Sequence, residues 1–93
     1  MFERILKLIR DKIRKKEYVM TLHAEEEMNS DDLTIYHVEC GILTGKVTER
    51  QKDKETGELK YRISGLTLSG DEVDVITKIS PTDKLVIITV YIP

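Results

Sequence analysis

The sequence is poor in the residues that build disulfide-stapled, metal-rich or membrane-spanning proteins. Its single cysteine, Cys40, excludes an internal disulfide and a cysteine-rich zinc site, and it is typical of a reducing compartment. No apolar run approaches the ~18 residues that a membrane-spanning helix needs. Residues 1–17 lack both the apolar core and the small-residue cleavage site of a secretory signal. We therefore expect a cytoplasmic protein with no membrane partner.

Composition indicates one folded domain. The chain has 93 residues, of which 40% are hydrophobic and 34% are charged. This balance supplies enough apolar surface for one modest core, and it excludes a disordered or collagen-like chain. A single domain over residues 1–93 is expected, with an N-terminal amphipathic helix in residues 1–17 and the rest of the fold in residues 18–92.

Charge is distributed unevenly along the chain, although the formal net charge is only −2. Residues 1–20 hold seven lysines and arginines against three acids, whereas residues 21–40 hold six acids and no lysine or arginine. The sequence pI near 5.7 disfavours a domain whose whole surface binds nucleic acid, because such domains are usually basic. Any contact with RNA or DNA is therefore expected to be local.

Helical periodicity dominates the first half of the chain. Apolar residues at helical spacing predict an amphipathic helix over residues 2–16, whose basic face indicates either a solvated surface or a phosphate contact. Thr21, followed by acidic residues, predicts the N-cap of a short second helix. Thr34 or Asp32 is expected to cap a third helix, and Gly45 is expected to end it in a left-handed conformation.

From Lys46 onward the hydrophobic period changes to two, which predicts strands over residues 47–51, 59–64, 73–79 and 84–91. Helices followed by hairpin-linked strands predict an α+β domain. In this fold the N-terminal helices pack on one face of an antiparallel sheet of about four strands. The other face is expected to display charged side chains, namely Lys60, Arg62, Asp74 and Lys78.

His23 is the strongest single candidate for chemistry, because imidazole titrates near neutrality and can act as a general acid or base. The alternative is a histidine at a helix start that pairs with Glu26 or Glu27. A metal site is not expected, because His37 and Cys40 with one further histidine lack the paired ligand spacing of structural zinc sites. No other cofactor motif is present, so no cofactor is expected.

Basic and hydroxyl side chains on the strands fit a metal-independent reaction. Cleavage of RNA by its own 2′-hydroxyl needs a proton acceptor, a proton donor and cations around the phosphorane-like transition state. Three cations are candidate phosphate contacts, namely Arg50, Lys60 and Arg62, while Lys78 and Tyr91 are candidate supporting groups beside His23. The same residue types are also common on the surface of any soluble sheet.

An ordered set of segments resembles a known family of small bacterial and archaeal proteins. The set consists of Tyr18–Met28 with its core His23-Ala-Glu-Glu-Glu-Met28, a helix opening at Leu33-Thr34, the run Ile42–Val47, and the terminal run Val86–Tyr91 with its closing Ile88-Thr-Val-Tyr91. It is similar to the uncharacterised DUF4258 family over roughly residues 18–91. One position departs from the family pattern: Glu27 stands before Met28, where members often have arginine.

The resemblance implies a fold like that of the RelE-like and MqsR-like messenger-RNA interferases. It therefore implies a toxin-like endoribonuclease that cleaves RNA and pairs with a small antitoxin protein, with the family histidine falling on His23. The anionic Glu27 and the acidic stretch around it favour a competing class. That alternative is a non-catalytic protein-interaction domain, with a homodimer as one expected form.

Overall fold

The computed structural model describes residues 1–93 and contains three helices and five strands. In chain order they are α1 (Glu3–Arg14), β1 (Tyr18–Met20), α2 (Leu22–Ser30), α3 (Ile35–Thr44), β2 (Lys46–Lys52), β3 (Leu59–Leu66), β4 (Glu72–Ile79) and β5 (Leu85–Tyr91). The three predicted helices are all present. None of them has the length and apolar character that crossing a bilayer requires.

The five strands form one mixed sheet in the order β1-β5-β4-β3-β2. Strands β2 to β5 form an antiparallel meander, and β1 joins β5 in parallel, with Tyr18 opposite Leu85 and Met20 opposite Ile87. The predicted α+β class is confirmed. The expected sheet of about four antiparallel strands is wrong in one respect, because the short segment Tyr18–Met20 adds a fifth strand in parallel.

The helices pack on one face of the sheet and enclose the core there. Side chains from α1, α2 and α3 meet inward-facing side chains of β3, β4 and β5 in one apolar cluster. Its fully buried members include Ile9, Ala24, Val38, Ile42, Ile63, Val75 and Ile87. Burial of each of the valine and isoleucine side chains in this set contributes roughly 1.5–3 kcal/mol. The helices cover only this face, so the other face of the sheet is free of helices.

Polar contacts attach α1 and the segment after it to the rest of the domain, among them a hydrogen bond of 2.9 Å from Arg10 Nη2 to the Gly45 carbonyl. Lys12 is only 6% exposed, and its Nζ lies 2.9 Å from the Asp83 carboxylate, whose hydrogen bond raises the pKa of the ammonium. After the helix, the ammonium of Lys16 and the hydroxyl of Tyr18 both donate to the Glu39 carboxylate on α3. Burial is the largest cause of the strongly raised pKa of Tyr18, followed by its bond to Glu39. The paired Glu39 is thus not an isolated buried charge.

Glycines allow α3 and β3 to approach more closely than other residues would permit. A Cβ at Gly65 would lie 1.9 Å from the carbonyl oxygen of Gly41 on α3. A Cβ at Gly45 would lie 2.6 Å from that same oxygen and 2.6 Å from Cγ2 of Ile63. The predicted left-handed helix end at Gly45 is wrong, because φ there is −87°. Lack of space, not a positive φ, is the reason for glycine at this position.

Thr21 joins α2 to the end of β5, as well as capping the helix as predicted. Its Oγ1 accepts a hydrogen bond from the amide of Ala24 at 3.1 Å and donates one to the carbonyl of Ile88, also at 3.1 Å. We expect Thr21→Ala to lower the free energy of unfolding by about 1–2 kcal/mol, because both bonds are lost. Thr21→Ser keeps the hydroxyl and should retain most of the stability in urea unfolding. Equal losses for both variants would contradict this role.

Candidate functional site

The sheet face opposite the helices, here called the open face, carries most of the predicted site residues. The strand register places them in cross-strand rows, since Arg62 lies opposite Ile76 and Ile76 lies opposite Thr89. In the next row Ser64, Asp74 and Tyr91 face one another in turn. As predicted, the charged residues of β3 and β4 that alternate with the core residues lie on this face.

A bulge in β2 places a carboxylate on the open face. Val47 pairs with Ile63 and faces the core, but the register shifts after Val47, so that Glu49 pairs with Arg62. If β2 had no bulge, strict alternation would put Glu49 on the same face as Val47, two positions before it; the extra residue Thr48 moves Glu49 to the opposite face. The bulge therefore brings Glu49 beside Arg62.

A second bulge, in β5, places the side chain of Tyr91 on the open face. Ile87 pairs with the buried Thr77, whereas Thr89 pairs with Ile76 on the open face, so Ile88 is the extra residue. Val90 then faces the core and is fully buried, while Tyr91 lies opposite Asp74. Because of this bulge, Tyr91 leaves the core face and joins the open face. Bulges that redirect side chains are common next to active sites.

Arg62 is the centre of a small polar cluster on the open face. Its Nε donates to Thr48 Oγ1 at 3.1 Å, and its Nη2 lies 3.6 Å from Glu49 Oε2. The Tyr91 hydroxyl is the main cause of the raised pKa of this guanidinium, and the charge of Glu49 adds to it. We call Arg62, Glu49, Tyr91 and Thr48 the Arg62 cluster. It joins a fixed cation, a carboxylate and a phenol in one place.

Two lysines of the open face, Lys60 and Lys78, are paired with acids from neighbouring segments. Lys78 Nζ lies 2.6 Å from Glu58, and Lys60 Nζ lies 3.7 Å from Asp53. Asp53 also accepts bonds from two turn amides, which lower the pKa of its carboxyl. Positive and negative groups thus alternate over this surface. Partly exposed ion pairs of this kind contribute only about 0–1 kcal/mol each to stability. An anion that binds the lysine more tightly can therefore displace the carboxylate.

Two predicted site residues lie away from the Arg62 cluster. Arg50 is exposed on β2 and pairs with Tyr61, whose side chain belongs to the core face. His23 lies on α2, beyond the end of β1, with a side chain that is 67% exposed. Its Nε2 lies 3.2 Å from Glu27 Oε1 one turn later, which is the helix-start pairing that the sequence left as an alternative.

Glu27 has a clear structural role in this chain. Its Oε1 accepts a hydrogen bond from the amide of Val90 at 3.2 Å, beyond the point where β1 stops pairing with β5. The carboxylate thereby satisfies a strand amide that has no partner strand. An arginine, which has donors only, could not accept this bond. The departure from the family pattern is consistent with a local structural need.

Two cavities open on the surface, and none of the six predicted site residues lines either. One, of about 450 Å³, is polar and lies at the corner of the open face where β2 begins; Lys46, Ser64, Glu72 and Asp74 are in its wall. The other, of about 380 Å³, is mainly apolar and lies between α1 and the adjoining ends of β3 and β4. The polar cavity shares its row of the sheet with Tyr91.

The family model described as "Domain of unknown function (DUF4258)" matches residues 20–92. The chain belongs to the DUF4258 family. No curated protein and no solved structure matches the chain. The DUF4258 match covers the whole open face and leaves out α1, as the sequence resemblance predicted. The family description names no activity, so the RelE-like, toxin-like interpretation stays a prediction.

Within the DUF4258 domain, sequence reasoning missed Glu49 as a functional candidate. Period-two alternation groups Glu49 with Val47, and no local signal marks Thr48 as a bulge. The only available indication is the polar run Thr48-Glu49-Arg50-Gln51, which is too polar for a strand with one fully buried face. The assignment of His23 as general acid or base remains a prediction, because its observed partner is Glu27.

Proposed function

We propose that this DUF4258 protein is a metal-independent endoribonuclease whose reaction takes place at the Arg62 cluster. The observation that carries the proposal is that Arg62, Glu49 and Tyr91 share the open face, where two separate bulges put the carboxylate and the phenol on the same side of the sheet as the guanidinium. Lys60 and Lys78 flank this group on the same face and supply further phosphate contacts.

The cluster has the groups that cleavage by the RNA 2′-hydroxyl requires. Glu49 accepts the proton of the 2′-hydroxyl, whose oxygen attacks the adjacent phosphorus. Arg62 binds two equatorial oxygens of the phosphorane-like transition state, for which its planar fork is suited. The bond to the 5′-oxygen breaks, and Tyr91 donates a proton to that leaving oxygen. The products are a 2′,3′-cyclic phosphate and a free 5′-hydroxyl.

Local electrostatics permit this role despite the acidic pI. The carboxylates that pair with Lys60 and Lys78 are held by weak, partly exposed ion pairs, so RNA phosphates can take their place. Glu49 is likewise 3.6 Å from the guanidinium, a distance that allows a phosphate oxygen to bind Arg62 while Glu49 stays nearby. Binding is expected to weaken at high salt, because phosphate contacts release counterions.

The direct test is cleavage of a single-stranded RNA oligonucleotide by the purified protein in EDTA, with product analysis for the 2′,3′-cyclic phosphate. Glu49→Gln should lower the cleavage rate by about 10²-fold or more, since the amide cannot accept the proton. Lys84→Ala, which removes an exposed cation outside the cluster, is the matched control and should cleave like the wild type. No cleavage by the wild type, alone or with ribosomes, would refute the proposal.

His23 provides a second, discriminating variant. We expect His23→Ala to cleave at a rate within error of the wild type, because the imidazole is paired with Glu27 at the end of β1 and lies outside the Arg62 cluster. A loss as large as that of Glu49→Gln would instead assign the proton transfer to His23, as the sequence predicts. The pH profile separates the two cases, since only an imidazole titrates near neutrality.

A further inference from the structure

Asp74 is a largely buried residue whose carboxylate forms no hydrogen bond or ion pair within the protein, although its charge contributes to the raised pKa of Arg62. The residue is only 9% exposed, yet it takes part in none of the ion pairs of the structure. Its neighbours on β4, Val73 and Val75, face the core and are fully buried, so Asp74 is directed to the open face. There it lines the polar cavity of about 450 Å³. Its carboxylate oxygens are not sealed in the interior, so they can accept hydrogen bonds from a ligand in this cavity.

The wall of the polar cavity has a mixed polarity that limits what can fill it. Ionised carboxylates such as Asp74 and Glu72 accept hydrogen bonds only, so the ligand must present donors on one side. Lys46 lines the same cavity and forms no ion pair, so the ligand must present an acceptor or a negative atom on another side. A bare metal ion or a polyamine offers no acceptor and would be repelled by the ammonium.

We propose that the polar cavity binds the guanine base of an RNA substrate, with Asp74 accepting from its N1–H and N2–H groups and Lys46 donating to O6 or N7. Guanine is the base that places two donors side by side on its Watson–Crick edge. Adenine and cytosine each place one amino group beside a ring acceptor, which a carboxylate repels. Uracil has one N–H between two carbonyl groups. Unpaired bases are commonly read at this edge.

The position of the polar cavity fits a base next to the scissile phosphate. Asp74 and Ile76 follow each other on the open face, about 7 Å apart along β4, and Ile76 is the neighbour of Arg62. A single nucleotide spans from base to phosphate over such a distance. Tyr91 faces Asp74 directly and also belongs to the Arg62 cluster. This inference rests on the proposed function, and it adds that cleavage follows guanosine.

The cleavage test uses four DNA oligonucleotides that each contain one ribonucleotide, rA, rC, rG or rU, at the same central position. Only the bond after the ribonucleotide can be cleaved, so kcat/KM reports the preference for the base directly. The wild type should cleave after rG about 10- to 100-fold faster than after the other three, the discrimination expected from one good bidentate contact. Equal rates on all four would overturn the guanine proposal while leaving the nuclease proposal intact.

Two variants then test whether the preference for guanosine depends on Asp74. Asp74→Asn keeps the size of the side chain but replaces one acceptor with a donor, so the ratio of rG to rA cleavage should fall to near one. Glu55→Gln removes a carboxylate in the exposed β2–β3 turn, away from the cavity, and the wild-type ratio should remain. A preference for rG that persists in Asp74→Asn would contradict the assignment.

A binding measurement separates failure of this inference from failure of the proposed function. Guanosine 3′-monophosphate should shift the amide NMR signals of Ser64 and Asp74 at lower concentration than adenosine 3′-monophosphate, and the difference should vanish in Asp74→Asn. That result without any RNA cleavage would refute the nuclease and support the base site. N-acetylarginine amide is tested in parallel, because a guanidinium also has paired donors. Tighter binding of this probe than of the guanosine nucleotide would overturn the guanine proposal and indicate a protein side chain as the ligand.

Discussion

Replacing Arg62 with alanine is expected to lower the rate of RNA cleavage by about 10²- to 10³-fold, the usual effect of removing one preorganised donor from a developing negative charge. Arg62 contacts both Thr48 and Glu49, and its guanidinium, like that of any arginine, is charged throughout the accessible pH range. Single-turnover cleavage of a labelled RNA oligonucleotide measures the loss in the chemical step.

Arg62→Lys separates charge from geometry in the same assay. Lysine keeps the positive charge but lacks the planar fork that binds two phosphate oxygens, so we expect a rate between those of the wild type and Arg62→Ala. Lys84→Ala again serves as the control for a lost exposed cation. If Arg62→Ala cleaves like Lys84→Ala, the Arg62 cluster is not the site of reaction, whatever the activity of the wild type.

Gly65→Ala is expected to destabilise the fold by about 3 kcal/mol or more, the range of severe overpacking. The added Cβ would lie 1.9 Å from the carbonyl oxygen of Gly41 and 2.8 Å from its carbonyl carbon. Both are backbone atoms of α3, which cannot rotate away, so the helix must move off the sheet. Urea unfolding followed by circular dichroism measures the change, and for a poorly soluble variant the amount of soluble protein reports it.

Gly70→Ala is the matched control for this glycine. Gly70 has a φ of +83°, but a Cβ there would meet no atom within 4 Å. Only backbone strain opposes the substitution, so we expect a loss of about 1 kcal/mol. Similar losses at Gly65 and Gly70 would show that the close contact between α3 and β3 is not what requires glycine at Gly65.

The helices and the inward-facing residues of β3 and β4 could be predicted from the sequence because their signals are local. Spacing of three and four identifies the buried Ile9 and Ile13 on α1, and alternation separates Ile63 from Arg62 on β3. The N-cap at Thr21 is likewise a feature of adjacent residues. In each case the residue type and its near neighbours decide the structure.

Features that depend on distant pairing could not be predicted in the same way. The segment Tyr18–Met20 has a β-like character, but three residues are too few to predict a strand of the sheet, and their parallel partner lies near the other end of the chain. The bulges at Thr48 and Ile88 break the alternation without a marker in the sequence, so the position of Glu49 beside Arg62 was missed. The antitoxin partner and the homodimer also remain predictions.

The parallel attachment of β1 to β5 has a consequence for the order of folding. Thr21 and Ile88, which are joined by a hydrogen bond, are 67 positions apart in the chain. Strands β2 to β4 pair with sequence neighbours and can form quickly, whereas β1 and α2 must wait for β5 to close a long loop. On the ribosome, the first strand therefore docks last. Until then β5 presents an unpaired edge, which is the stage at which nascent chains are most exposed to aggregation.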